Sequence, residues 1–144
     1  MSENVEFLLV GGGLASAQAA RSIREAGANG RAVILTAEPE LPYNRPPLSK
    51  GFLQGKETRD SIFVKPQAFW DEQKIEVFAG RTAAGLDRKS RLVTCDDGST
   101  WRYGKLLLAT GSEPRRLTSP GADLPGVYYL RTVADSTAIV TAAA

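Results

Sequence analysis

Three consecutive glycines, Gly11, Gly12 and Gly13, separate the apolar run Phe7-Leu8-Leu9-Val10 from a stretch that opens with Leu14, Ala15 and Ser16. This arrangement fits G-x-G-x-x followed by a small residue. Gly11 permits a tight turn, Gly13 lets bare backbone approach a phosphate, and small Ser16 lets the next helix lie close to the strand. The helix N-terminus behind the turn presents backbone N–H groups to an anion. The plain alternative is a glycine-rich strand–helix turn with no ligand. Placement inside a strand–helix–strand unit favours dinucleotide binding over that alternative.

Other residues could serve the same ligand. Glu38 stands 22 residues beyond Ser16, just past the second apolar run. A carboxylate there accepts hydrogen bonds from adenosine ribose hydroxyls and repels a 2′-phosphate; otherwise it is an ordinary exposed loop acid. Arg45 and Lys50 carry the groups that suit a pyrophosphate and an electron-rich ring atom. Read alone, they are two basic residues on a surface loop. Thr110 and Gly111 follow Leu106-Leu107-Leu108-Ala109. They are small enough for the chain to pass close to a ligand, or they simply end a strand. Cys95 reads as an inert strand residue with no redox role.

These residues need elements to position them. Residues 6–10 read as a strand and 14–26 as a helix rich in small residues, with Gly27 where a helix C-cap is expected. Ala32-Val33-Ile34-Leu35 is a continuous apolar run of the kind found in buried parallel strands. The three make a βαβ unit with a right-handed crossover. Pro39, Pro42, Pro46 and Pro47 stiffen the loop that follows, which leaves the carboxyl end of the second strand, where α/β sheets bind ligands. A short helix is expected at 48–53, an irregular segment at 61–64, a helix at 66–73 and a third parallel strand at 74–78. From Arg81 the texture changes. Residues 82–86, 91–95 and 100–103 are short strand candidates joined by polar turns, an antiparallel meander set into an α/β pattern. Residues 105–109 should return to the parallel sheet, 127–130 make a last short strand, and 141–144 end inside a helix. The fold class is therefore α/β: a Rossmann-like parallel sheet flanked by helices, with an inserted antiparallel β-meander as a second layer.

Composition excludes several classes. A chain of 144 residues can bury one core. With one cysteine it forms no internal disulfide and no zinc site, and without histidine it carries no histidine triad. No metal site is expected. The single cysteine suits a reducing cytoplasm. A net charge of +2 is too mild to imply nucleic acid, and no apolar run implies a membrane span or signal peptide. Arg88, Lys89, Arg91, Arg115 and Arg116 read as solvated turn residues, with a patch for an acidic partner as the alternative.

The stretches GGGLASAQAARSIREAG, LPYNRPPLSKGFLQGK, LLLATGSEPRRL and YLRTVADS, in this order and spacing, closely resemble the ferredoxin reductases of oxygenase systems, such as those of aromatic-ring dioxygenases and putidaredoxin reductase. Apoptosis-inducing factor is a more distant relative. RPPLSK is the most specific element; ATG is shared more widely among flavoproteins with two dinucleotide sites. The resemblance implies FAD across the carboxyl edge of the sheet. Backbone at Gly13, Leu14 and Ala15 would hold the pyrophosphate and Glu38 the adenosine ribose. Arg45 would lie near the pyrophosphate and Lys50, the one residue placed at the chemistry, near the flavin N5. Ala83 would border the adenine, Thr110 and Gly111 would flank the cofactor, and Arg131 would reach it from the side. Relatives often carry an acid where this chain has Ala37, and Ser16 replaces a glycine.

In the complete family NADH gives a hydride to FAD, which passes single electrons to a [2Fe–2S] ferredoxin. This chain matches only the first third of such a protein, the N-terminal part of its FAD-binding domain. The second glycine motif for NAD, the segment that completes the FAD site and the C-terminal interface domain are expected to lie outside it. Alone, it should be apo or loosely loaded with FAD, tend to self-associate and not oxidise NADH. One alternative is a disulfide reductase, but residues 48–53 lack the cysteine pair that chemistry needs. A second is a non-catalytic FAD- or nucleotide-binding module, or a structural piece with no ligand.

Overall fold

A computed structural model describes residues 2–143. They form two compact units: the first comprises residues up to Tyr43 together with Phe63–Gly111, the second Asn44–Ile62 together with the residues from Ser112 onward.

The first unit is built on one six-stranded sheet. Its strands are β1 (Ser2–Val10), β2 (Ala32–Thr36), β3 (Ile75–Ala79), β4 (Ala83–Asp87), β5 (Leu92–Cys95) and β6 (Thr100–Leu108), in the spatial order β3-β2-β1-β6-β5-β4. β3, β2, β1 and β6 run parallel, while β4, β5 and the first part of β6 pair antiparallel. Helix α1 (Leu14–Glu25) joins β1 to β2, and α2 (Gln67–Glu72) precedes β3.

Alternation along the parallel strands makes two cores. Leu9, Ala32, Ile34 and Ile75 face the helices, packing with Ala17 and Ala20 of α1 and Trp70 of α2. Leu8, Val10, Val33 and Leu35 point the other way, onto Val93, Cys95 and Trp101. The meander is thus the second layer read from the sequence, yet it remains joined to the parallel sheet through β6. Cys95 is buried in that inner layer. Small side chains in α1 allow the close approach: Ser16, Ala17 and Ala20 are all essentially inaccessible.

Polar ties hold both ends of the crossover. The Arg24 guanidinium donates to four carbonyls: Gln73 at 2.8 Å, Ala28 at 2.8 Å, Gly30 at 2.8 Å and Lys74 at 2.7 Å. At the amino ends of the strands Arg31 pairs with Glu76 at 2.7 Å and Glu3 at 2.6 Å. The Arg31 hydrogen bond holds the Glu76 carboxyl below the usual range despite partial burial.

The second unit is mostly irregular, with 3₁₀ turns at Pro46–Ser49 and Asp60–Ile62 and helix α3 (Val133–Ala143). α3 opens with a capping box. The Asp135 carboxylate accepts from the Thr132 and Arg131 N–H groups at 2.7 and 2.9 Å, and the Thr132 hydroxyl accepts from the Asp135 N–H at 3.1 Å. Within this unit the buried Ser136 hydroxyl donates to the Leu48 carbonyl at 2.8 Å.

Three sequence expectations are corrected. Residues 100–103 and 105–109 are not two strands but one, β6. Gly104 is an irregularity inside it, where a side chain would crowd the Glu6 carbonyl. Residues 48–53 are not a helix: the short 3₁₀ turn over Pro46–Ser49 gives way to successive turns, since two prolines lack N–H donors and Gly51 and Gly55 interrupt. Residues 127–130 are not a strand, because no neighbouring segment pairs with them among the described residues. The first strand is also longer than expected, starting at Ser2. Of the terminal 141–144, Ala144 lies outside the described residues.

Candidate functional site

At the carboxyl edge of the sheet β1 lies between β2 and β6. The Gly11 N–H donates to the Leu35 carbonyl at 2.8 Å, and the Ala109 N–H donates to the Val10 carbonyl at 2.8 Å. The ladder therefore runs past the strand ends before the chain turns away. Gly11 makes that turn at φ +117°, a conformation that side chains disfavour.

The three glycines have different environments. A Cβ on Gly11 would overlap the Ala109 carbonyl, and one on Gly12 would overlap the Thr36 side chain. Both are required by the fold's own packing. A Cβ on Gly13 would meet nothing within 4 Å. Its backbone, φ −91° and ψ −178°, is extended and open to any residue.

α1 starts directly after Gly13. No side chain caps it, its first turn holds no acid, and its first intrahelical bond is from the Ala17 N–H to the Gly13 carbonyl at 3.2 Å. The N–H groups of Leu14, Ala15 and Ser16 therefore have no partner within the helix, and the helix dipole adds positive potential at the same place. Leu14 and Ala15 are exposed while Ser16 is buried.

The sequence-derived residues of the first unit fall around this edge. Thr110 follows β6, and its Cα is 3.1 Å from where a Gly11 Cβ would stand. Gly111 comes next, at φ +75°, and both residues are exposed. Ala37 is exposed and Glu38 half-buried on the loop after β2. That loop is laced to the one after β3: the Gly80 N–H donates to the Glu38 carbonyl at 3.1 Å, and the Arg81 N–H to the Thr36 carbonyl at 2.8 Å. Ala83, half-buried, begins β4 just beyond. The Tyr43 hydroxyl donates to the Glu38 carboxylate.

Arg45, Lys50 and Arg131 belong to the second unit. There the Arg45 guanidinium donates to the Arg131 carbonyl at 2.6 Å, and Lys50 is exposed at the end of the 3₁₀ turn. Asp135 anchors the Arg131 backbone. Burial alone would raise the Asp135 pKa, but hydrogen bonds from Thr132 and Arg131 together with the Arg116 charge hold it below the usual range.

Sequence reasoning missed three features. Thr36, the wall against Gly12, carries no motif signal. Tyr43 could be suspected only as an aromatic residue inside a proline-rich loop. The third is the α3 capping box, whose T-x-x-D spacing from Thr132 to Asp135 is a helix-start signal that was not read. Among the described residues no helix is long and apolar enough to cross a membrane.

The sequence profile of the pyridine nucleotide-disulphide oxidoreductase family matches residues 5–143. A 5,5′-dehydrodivanillate O-demethylase ferredoxin reductase subunit of a Sphingobium species is 41% identical over 135 residues, covering 94% of this chain and 33% of that protein. Among solved structures, a ferredoxin reductase of Rhodopseudomonas palustris superposes with a TM-score of 0.88 at 37% identity, covering 94% of this chain and 34% of that one. The reductase in a covalent putidaredoxin reductase–putidaredoxin complex gives 0.87 at 31% identity, covering 97% and 34%. The chain thus spans about a third of the length of the relatives it matches. Glycine turn, crossover, meander and profile agree: the chain belongs to the pyridine nucleotide-disulphide oxidoreductase family.

Proposed function

We propose that this chain is the FAD-binding part of an NADH-dependent reductase that delivers electrons to a [2Fe–2S] ferredoxin of an oxygenase system. The observation that carries the reading is Gly13. The fold needs Gly11 and Gly12 for its own packing, but no protein atom requires a missing side chain at Gly13. A side chain there would fill the space in front of an uncapped helix. A pyrophosphate in that space would accept hydrogen bonds from the backbone of Gly13, Leu14 and Ala15, with the helix dipole favouring its charge.

The remaining roles are those the family resemblance implies. Glu38 would accept from the adenosine ribose hydroxyls, Ala37 would lie beside them and Ala83 would border the adenine. Thr110 and Gly111, short-chained and next to Gly11, would flank the cofactor. For Arg45 toward the pyrophosphate, Lys50 toward the flavin N5 and Arg131 alongside, the support is the RPPLSK and YLRTVADS pattern. FAD held there would supply the redox chemistry, as a two-electron hydride acceptor and one-electron donor. The chain's own residues bind and orient it. With its single cysteine buried in β5, the chain has no dithiol to exchange. Support for the ferredoxin-type partner is the naming of relatives, and the lone cysteine fits a cytoplasmic setting.

A titration of the chain with FAD, followed by flavin fluorescence, tests the reading. Weak but saturable binding is expected, and Glu38→Ala should weaken it by about 1–2 kcal/mol, the scale of a charge-assisted hydrogen bond. Absence of saturable binding would overturn the proposal.

A further inference from the structure

We infer that Tyr43 is a positioning residue for Glu38: its hydroxyl holds the carboxylate in the orientation that selects an unphosphorylated adenosine ribose. This inference rests on the FAD reading above and adds a determinant of its specificity.

Both partners are fixed independently. The Tyr43 ring is buried, 3% exposed, and its hydroxyl donates to Glu38 Oε2. Its backbone is clamped as well. The preceding Pro42 is fully buried and its carbonyl accepts from the Val64 N–H at 2.8 Å, while Tyr43 itself forms an antiparallel bridge with Phe63. On the other side, the Glu38 N–H donates to the Thr36 hydroxyl at 3.3 Å, and its carbonyl accepts from Gly80. A glutamate with only its backbone fixed still turns about its side-chain torsions. A phenol projecting from a buried ring restrains the carboxylate it donates to.

The consequence concerns selectivity. A carboxylate has roughly four acceptor directions, so a phenol and ribose hydroxyls can share it. A held carboxylate cannot swing away from an incoming 2′-phosphate, so the like-charge repulsion is felt in full; a loose one would move aside. Tyr43 would therefore strengthen binding of the plain ribose and sharpen rejection of the phosphorylated one.

The test is a double-mutant cycle on the whole chain with Tyr43→Phe and Glu38→Ala. FAD affinity, the ratio of affinities for ADP-ribose and 2′-phospho-ADP-ribose, and thermal melting are measured for each variant. Tyr43→Phe keeps the ring that fills the site. It should weaken FAD about tenfold when Glu38 is present and less than about twofold when it is not, while narrowing the ADP-ribose ratio. Equal weakening in both backgrounds would show that Tyr43 only packs, and would overturn the inference. So would an unchanged affinity and ratio while Glu38→Ala still weakens FAD; the ribose assignment would survive that result. Absence of FAD binding to the unaltered chain would overturn the FAD reading and this inference with it.

Discussion

Alanine at Gly11 and valine at Gly13 should do opposite things, although the two residues lie in one motif. At Gly11 the φ of +117° costs a residue with a side chain about 1–3 kcal/mol. The new Cβ would also overlap the Ala109 carbonyl, so β1 and β6 must part at the edge. That motion strains the hydrogen bonds from the Gly11 N–H to Leu35 and from the Ala109 N–H to Val10, each contributing about 1 kcal/mol. The sum is about 3–5 kcal/mol, a large share of the stability of a typical domain. At Gly13 the extended backbone suits valine and the side chain enters open space. Replacing glycine at this helix-capping position costs about 0.5–1 kcal/mol at most. Urea melts should separate the two, followed by the fluorescence of Trp70 and Trp101, both buried in the first unit. Gly11→Ala should melt at much lower urea, whereas Gly13→Val should melt near the parent but fail to take up FAD. If Gly13→Val binds FAD like the parent, the pyrophosphate is not in front of α1. If it unfolds like Gly11→Ala, the distinction between a packing glycine and a ligand glycine is wrong.

Other predictions are independent of that one. Arg24→Ala should destabilise the first unit by about 2–3 kcal/mol in urea melts, because four carbonyls lose their donor; Arg24→Lys should recover little, since an ammonium cannot span that fork. Asp135 has a folded pKa below its unfolded one, so its contribution is full above the unfolded value, about 3.9, and is lost as pH falls through the folded value. Asp135→Asn should cost about 1 kcal/mol at neutral pH, and the gap in melting temperature to the parent should close as the pH is taken down to about 3; a gap independent of pH would refute the capping role. With one glycine-rich turn in the chain, no saturable NADH oxidation is expected with ferricyanide as acceptor even after FAD is added. Robust turnover by the 144-residue chain would refute the assignment of roles.

Local patterning in the sequence was enough to place β1, α1 and β2. A continuous apolar run, a glycine turn, a helix of small residues and Gly27 at its end each act within a few residues, and they agree with one another. The polar turns likewise marked out the meander. The misreadings fell where local signals are weak or where glycine and proline admit several outcomes. Gly104 looked like a break but lies inside β6, and 127–130 had strand-forming residues with no partner strand among the described residues.

The sequence by itself determined that a glycine-rich strand–helix turn exists and that it opens a crossover, because that geometry is written in consecutive residues. Only the tertiary structure decided which glycine is needed by the fold and which leaves space for a ligand, since the difference lies in Ala109 and Thr36, atoms remote in the chain. It likewise joined Tyr43 to Glu38 and Arg24 to residues 73 and 74. Such partnerships depend on where a loop is clamped and on where a helix end meets a distant turn, and no residue spacing encodes them.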